Sequence, residues 1–159
     1  MELREGEKIL KIYHHHPTPF VVDLLKIVAG SFPFFLLLYL FGSTMSIKAY
    51  IIAHLIVIGL FTLILIYQAL VYWLDRLVIT SQRIIHVDWK YLTKRDEYEA
   101  ELNDIQDIST KEKGILAVFW MLDYGTFTLQ TASHTSIIEF TEAPDPEGIR
   151  QFIYSIKPN

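Results

Sequence analysis

The chain has 159 residues, 52% apolar and 20% charged, with a formal net charge of −4 and no cysteine. That balance excludes a disulfide-stapled domain and a general nucleic-acid binder. Its apolar residues crowd into the first half, which excludes one evenly mixed globular core.

Residues 1–19 form a polar N-terminal segment, expected in the cytoplasm, that ends in His14, His15 and His16 before Pro17. Three consecutive histidines point different ways in any regular backbone, and no cysteine or acidic residue adjoins them. They are therefore read as an interfacial, partly snorkelling stretch rather than a metal site. With a polar stretch ahead of the first apolar run, a secretory signal peptide fits poorly.

Residues 20–74 read as a two-helix transmembrane hairpin, with spans at about 21–41 and 50–74. A bilayer core about 30 Å thick takes roughly 20 helical residues. Ile51–Trp73 meets that length without a charge, carrying only His54, Thr62 and Gln68 as notably polar side chains. The first span is weaker: Asp23 and Lys26 open it, three apart and able to pair, and Pro33 lies within it. Arg4, Lys8, Lys11 and Lys26 precede or open the first span, Lys48 alone lies in the connecting loop, and Arg76, Arg83 and Lys90 follow the second. That asymmetry puts both termini of this multi-pass chain in the cytoplasm and the connecting loop outside.

From Asp75 onward, fourteen Asp and Glu outnumber nine Lys and Arg, with no polybasic lipid-binding cluster. Leu77–Thr80 and Arg83–Trp89, joined by Ser81-Gln82, predict a hairpin. Tyr91-Leu92-Thr93 with Glu97–Glu101 predicts a third strand and Ile105–Lys111 a fourth. Thr126–Thr131 and Ser136–Thr141 follow, with Gly125 expected in a turn that needs positive φ. Asp145, Pro146 and Glu147 carry the signals of a helix start. Ile149, Phe152, Ile153 and Ile156 then form one apolar stripe suited to covering a sheet.

The phrases Gly6-Glu7-Lys8-Ile9-Leu10, Leu77-Val78-Ile79-Thr80-Ser81-Gln82-Arg83-Ile84-Ile85 and Leu102-Asn103-Asp104-Ile105-Gln106-Asp107-Ile108 occur in that order. Asp123-Tyr124-Gly125-Thr126 and Asp145-Pro146-Glu147 complete the series. With paired spans among them, the chain resembles the bacterial pleckstrin-homology-like membrane proteins of the YdbS-like type. The resemblance implies a membrane α-helical hairpin followed by an α+β domain at 75–159. That domain would be a PH-like antiparallel barrel or sandwich of about six or seven strands, capped by a C-terminal helix. It implies a docking scaffold rather than an enzyme, though fold alone does not fix function. In eukaryotic lipid-binding PH domains the first loop is usually longer and basic. Here it offers Arg83 alone, so inositol phosphate recognition does not carry over.

Two groups of residues stand out as candidate sites. Ile115–Leu122 is eight apolar residues in an acidic domain, too short to span a bilayer. It reads as a buried plug, or else Phe119, Trp120 and Met121 contact the inner leaflet or a partner. His54, Thr62 and Gln68 are candidate intramembrane functional residues. No nucleophile elbow, phosphate loop or metal-binding helix appears, so no catalytic residue, metal ligand or cofactor is assigned. The expectation is a non-catalytic scaffold or adaptor at the bacterial inner membrane, with an envelope-stress role implied by resemblance only. Its partners would be lipids around the hairpin, another membrane protein and further copies of itself, with no nucleic acid. An oligomeric ion channel or transporter component using the polar residues of the second span stays open, as does a membrane-associated enzyme.

Overall fold

The structure, a computed structural model, describes residues 2–112, 124–131 and 137–157. The chain divides into two compact units, Pro19–Leu70 and a second made of the residues up to Thr18 with those from Val71 on.

The first unit is a helical hairpin. Helix α1 runs over Pro17–Phe41 with Pro33 inside it, a 3₁₀ turn covers Gly42–Thr44, and helix α2 runs over Ile47–Leu74. Both are long and apolar enough to cross a membrane, and neither buries any residue of its most apolar 18-residue window. An edge-on contact between Phe34 and Phe61 (5.5 Å between ring centroids) and a tilted one between Phe35 and His54 (5.9 Å) join the helices. Asp23 accepts from Lys26 at 2.7 Å, as their spacing predicts.

The second unit is a two-sheet sandwich, not a closed barrel. One sheet has strand order β1-β2-β3-β4, formed by Ile9–Tyr13, Arg76–Thr80, Arg83–Tyr91 and Lys94–Glu101. The other has order β5-β6-β7, formed by Ile105–Glu112, Tyr124–Thr131 and Ile137–Pro144. All pairings are antiparallel. Helix α3, Pro146–Ile156, packs on β5 and β6. Its start is as the sequence predicts, with Asp145 as N-cap accepting from Gly148 N–H at 2.9 Å and Ile149 and Ile153 buried.

Because strand side chains alternate, the four-stranded sheet has two distinct faces. Leu77, Ile79, Ile84 and Ala100 enter the core between the sheets, where Phe127, Leu129, Ile138 and Phe140 meet them. Val78, Ile85 and Val87 lie on the opposite face in a second buried cluster.

Three expectations are corrected. Ile9–Tyr13, assigned no strand from the sequence, is β1, and Tyr13 pairs with Leu77. Tyr91 closes β3 rather than opening the third strand, and the turn falls at Leu92-Thr93. Gly125 lies inside β6 without positive φ. Its lack of a side chain serves close approach instead, since a Cβ there would sit 2.1 Å from the Lys111 carbonyl oxygen. A glycine that does adopt positive φ, +77°, is Gly6, ahead of β1.

Candidate functional site

Two polar clusters fasten the segment before α1 onto the sandwich. The first holds the β2–β3 turn. Glu7 Oε1 accepts from Thr80 Oγ1 at 2.7 Å and from Arg83 Nε at 2.9 Å, and Oε2 accepts from Arg4 N–H at 2.7 Å. Arg83 also donates to Glu99 at 2.5 Å and to the Glu2 carbonyl at 2.8 Å. The Glu7 side chain is fully buried and that of Arg83 nearly so. Arg83, the one basic residue of this turn, is therefore committed to internal carboxylates and not presented to a headgroup.

The second cluster lines a cleft of about 500 Å³. Along the inner face of β3 the residues run Ile84, His86, Asp88, paired across to Ala100, Tyr98 and Asp96 of β4. The face thus changes from core to polar toward the β3–β4 turn. Asp88 and Asp96 stand directly opposite each other, a repulsive arrangement that Lys90 relieves at 3.9 and 3.0 Å. Ile137, Glu139 and Thr141 of β7 form the opposing wall, and His15 and Asp75 close one end.

That end is the most densely bonded part of the cleft. Asp75 Oδ1 lies 3.1 Å from His15 Nε2 and 3.2 Å from His86 Nε2. His15 Nδ1 lies 2.6 Å from the Thr141 carbonyl oxygen, and its ring stacks on Phe140 with centroids 4.6 Å apart. The His86 ring meets Phe140 edge-on at 5.3 Å. Burial pushes the Asp75 carboxyl up, but the hydrogen bonds from the two histidines outweigh it and hold the group at about 2. Tyr72 donates its hydroxyl to the His15 carbonyl at 2.6 Å. Backbone N–H of His16 reaches the Glu142 carbonyl at 2.7 Å, and Glu142 adopts a left-handed φ of +55°.

The histidine segment was expected to be interfacial, and that is corrected for His15, while His14 is exposed. The His15 side chain is only 10% exposed and belongs to the sandwich. Among the described residues no group of three His, Cys, Asp or Glu is arranged to hold a metal ion.

The bacterial PH domain family model matches residues 28–157, most of the chain. The chain belongs to the bacterial PH domain family. The match takes in α2, β2 to β7 and α3 and stops short of β1. Two solved structures are similar to it. One is a DUF1696-family protein with a pleckstrin-homology domain from Shewanella loihica PV-4, 17% identical, with a TM-score of 0.41, covering 53% of this chain and 71% of that one. The other is a pleckstrin homology domain from Shewanella amazonensis SB2B, 19% identical, with a TM-score of 0.41, covering 54% and 68%. A comparison with curated proteins gives no match.

The sequence singled out two groups of candidate residues in this bacterial PH protein. Phe119, Trp120 and Met121 lie outside the described residues. His54, Thr62 and Gln68 are all on α2. His54 Nδ1 sits 2.9 Å from the Tyr50 carbonyl, and its ring is 4.2 Å from that of Tyr50. Of the cleft residues, His15 was read only as part of an interfacial histidine stretch, and Asp75 and His86 were not singled out from the sequence. Their one legible signal is placement: His15 stands two residues before α1 and Asp75 immediately after α2.

Proposed function

We propose that this chain is a membrane-tethered, non-catalytic PH-like scaffold of the bacterial inner membrane. Its hairpin crosses the bilayer, and its N- and C-termini are cytoplasmic. The observation that carries this reading is the pairing of β1 with β2, Tyr13 opposite Leu77. The strand leading into α1 and the strand leaving α2 are neighbours in one sheet, so both ends of the hairpin belong on the same side of any membrane it crosses. The outward apolar surface of α1 and α2 supports a lipid environment, since a water-exposed pair of this kind is costly.

A scaffold is favoured over a headgroup binder because Arg83 is occupied internally and the domain is acidic. The cleft is the proposed docking place. Asp88 and Glu139, with the Tyr98 ring between the walls, suit a basic side chain of a partner membrane protein. Self-association through α2 is part of the proposal; a side chain at Gly59 would meet nothing within 4 Å, so that surface is open to another helix.

In native membranes, crosslinking of the full chain followed by purification is expected to recover a discrete adduct with another membrane protein. Asp88→Lys combined with Glu139→Lys should remove that adduct while leaving the protein folded. An adduct indifferent to the double substitution would reject the cleft as docking site. Recovery of the chain alone would reject the scaffold.

A further inference from the structure

We propose that His15 is a pH-operated clasp. As imidazolium it joins Asp75 and the Thr141 carbonyl, and on losing its proton at rising pH it releases one of them and loosens that end of the cleft. The geometry of the two ring nitrogens carries this. Nδ1 faces a carbonyl oxygen at 2.6 Å and Nε2 faces a carboxylate oxygen at 3.1 Å, and neither of those groups can donate. A neutral imidazole has a single N–H, so it must aim a lone pair at one of the two oxygens. Only the imidazolium serves both.

His86 is arranged differently. Its Nε2 faces Asp75 at 3.2 Å, while its buried Nδ1 has no partner among the described residues. A single N–H, on Nε2, is enough for its bond to Asp75. The pair therefore divides the work: His86 holds Asp75 in either state, and His15 adds a bond that depends on its charge.

Several other groups surround the clasp. Glu142 adds negative charge from β7, the Tyr72 hydroxyl from α2 holds the His15 carbonyl, and Asp88, Tyr98 and Glu139 line the cleft beyond. Burial works against a charged His15 ring, but the bond and charge of Asp75, the Thr141 carbonyl and Glu142 outweigh it and raise its pKa above the ordinary value of 6.5. A raised value means the clasp is complete below the ordinary histidine pKa and is lost as pH rises through the raised one. Release is local, because Asp75 keeps His86. One proton thus couples three segments: the residues entering α1, the residue leaving α2, and β7.

The inference rests on the cleft geometry and not on the scaffold reading, so it is tested without a partner. Amide hydrogen exchange of the full chain in nanodiscs is followed by mass spectrometry from about pH 5.5 to 9.5, corrected for intrinsic exchange. Peptides over residues 9–18 and 137–144 should show one step, with opening rising from about the ordinary histidine pKa of 6.5 and levelling off above the raised one. His15→Gln should fix both peptides at the released level at every pH. Asp75→Asn keeps the shape but removes the charge, and should move the midpoint down. His86→Gln should leave a step in place. A flat profile in the natural sequence, a step that survives His15→Gln, or a midpoint unmoved by Asp75→Asn would each overturn the clasp.

Discussion

Replacing Glu7 by alanine is expected to cost the sandwich about 3 kcal/mol or more, although the residue lies outside the strands. Its carboxylate is fully buried and answers Arg83, Thr80 and the Arg4 N–H together. Removing it leaves a guanidinium that is 7% exposed facing a void, with Glu99 as its one remaining carboxylate. Glu99→Ala, at a carboxylate 40% exposed, should cost at most about 1 kcal/mol. Denaturant unfolding of the full chain in micelles, followed by tryptophan fluorescence, separates the two. Equal losses would mean that Glu7 is not the anchor. The same pair has a pH signature. Arg83's hydrogen bonds, working against burial, hold Glu7 at about 2 instead of 4.5. Its contribution is therefore present above pH 4.5 and is lost as pH falls toward 2.

Phe140→Ala is expected to cost about 3–5 kcal/mol, the range for emptying a buried phenylalanine site. Phe140 is fully buried opposite Phe127, with the His15 ring stacked on it and the His86 ring meeting it edge-on. The loss should exceed what its area alone gives, and a double-mutant cycle with His15→Gln should return a coupling of about 0.5–1.5 kcal/mol. Ile137→Ala on the same strand, at a residue 55% exposed, should change stability by less than about 0.5 kcal/mol. If Phe140→Ala is as mild as Ile137→Ala, the cleft does not share the core's packing.

Most of this architecture was legible in the sequence because its signals are local. The uncharged run through Ile51–Trp73 gives α2, alternation gives β6, and Asp145 with Pro146 gives the start of α3. What escaped was non-local. Strand β1 is five residues, Ile-Leu-Lys-Ile-Tyr, without clean alternation, and most of its side chains are exposed. Its partner strand lies beyond an entire helical hairpin, Ile9 opposite Thr80. No periodicity within a short window can report such a pairing. The cleft escaped for the same reason, since His15 and Asp75 stand at opposite ends of that hairpin in the chain. Gly125 was legible as a special glycine but assigned the wrong reason. Close approach of two backbones and a positive φ both select glycine, and a sequence does not tell them apart.

The consequence for function is specific. A domain merely attached to the end of a hairpin can be removed without disturbing either part. Here the inserted hairpin leaves from and returns to adjacent strands, β1 and β2, of one sheet. The His15–Asp75 contact sits at both entry points, and Glu7–Arg83 lies at the far end of the same strands.

The claim that one sheet is assembled from the two segments flanking a membrane-crossing hairpin is tested most directly by cysteine chemistry. The natural chain has no cysteine, so an introduced pair reports alone. Arg4 and Glu101 form an exposed ion pair at 2.8 Å, and the double substitution Arg4→Cys with Glu101→Cys should cost little. In inner-membrane vesicles a short bismaleimide should join the two introduced thiols within one chain, and an impermeant maleimide should label both positions from the same face. Labelling from opposite faces, with no intramolecular crosslink, would contradict the account.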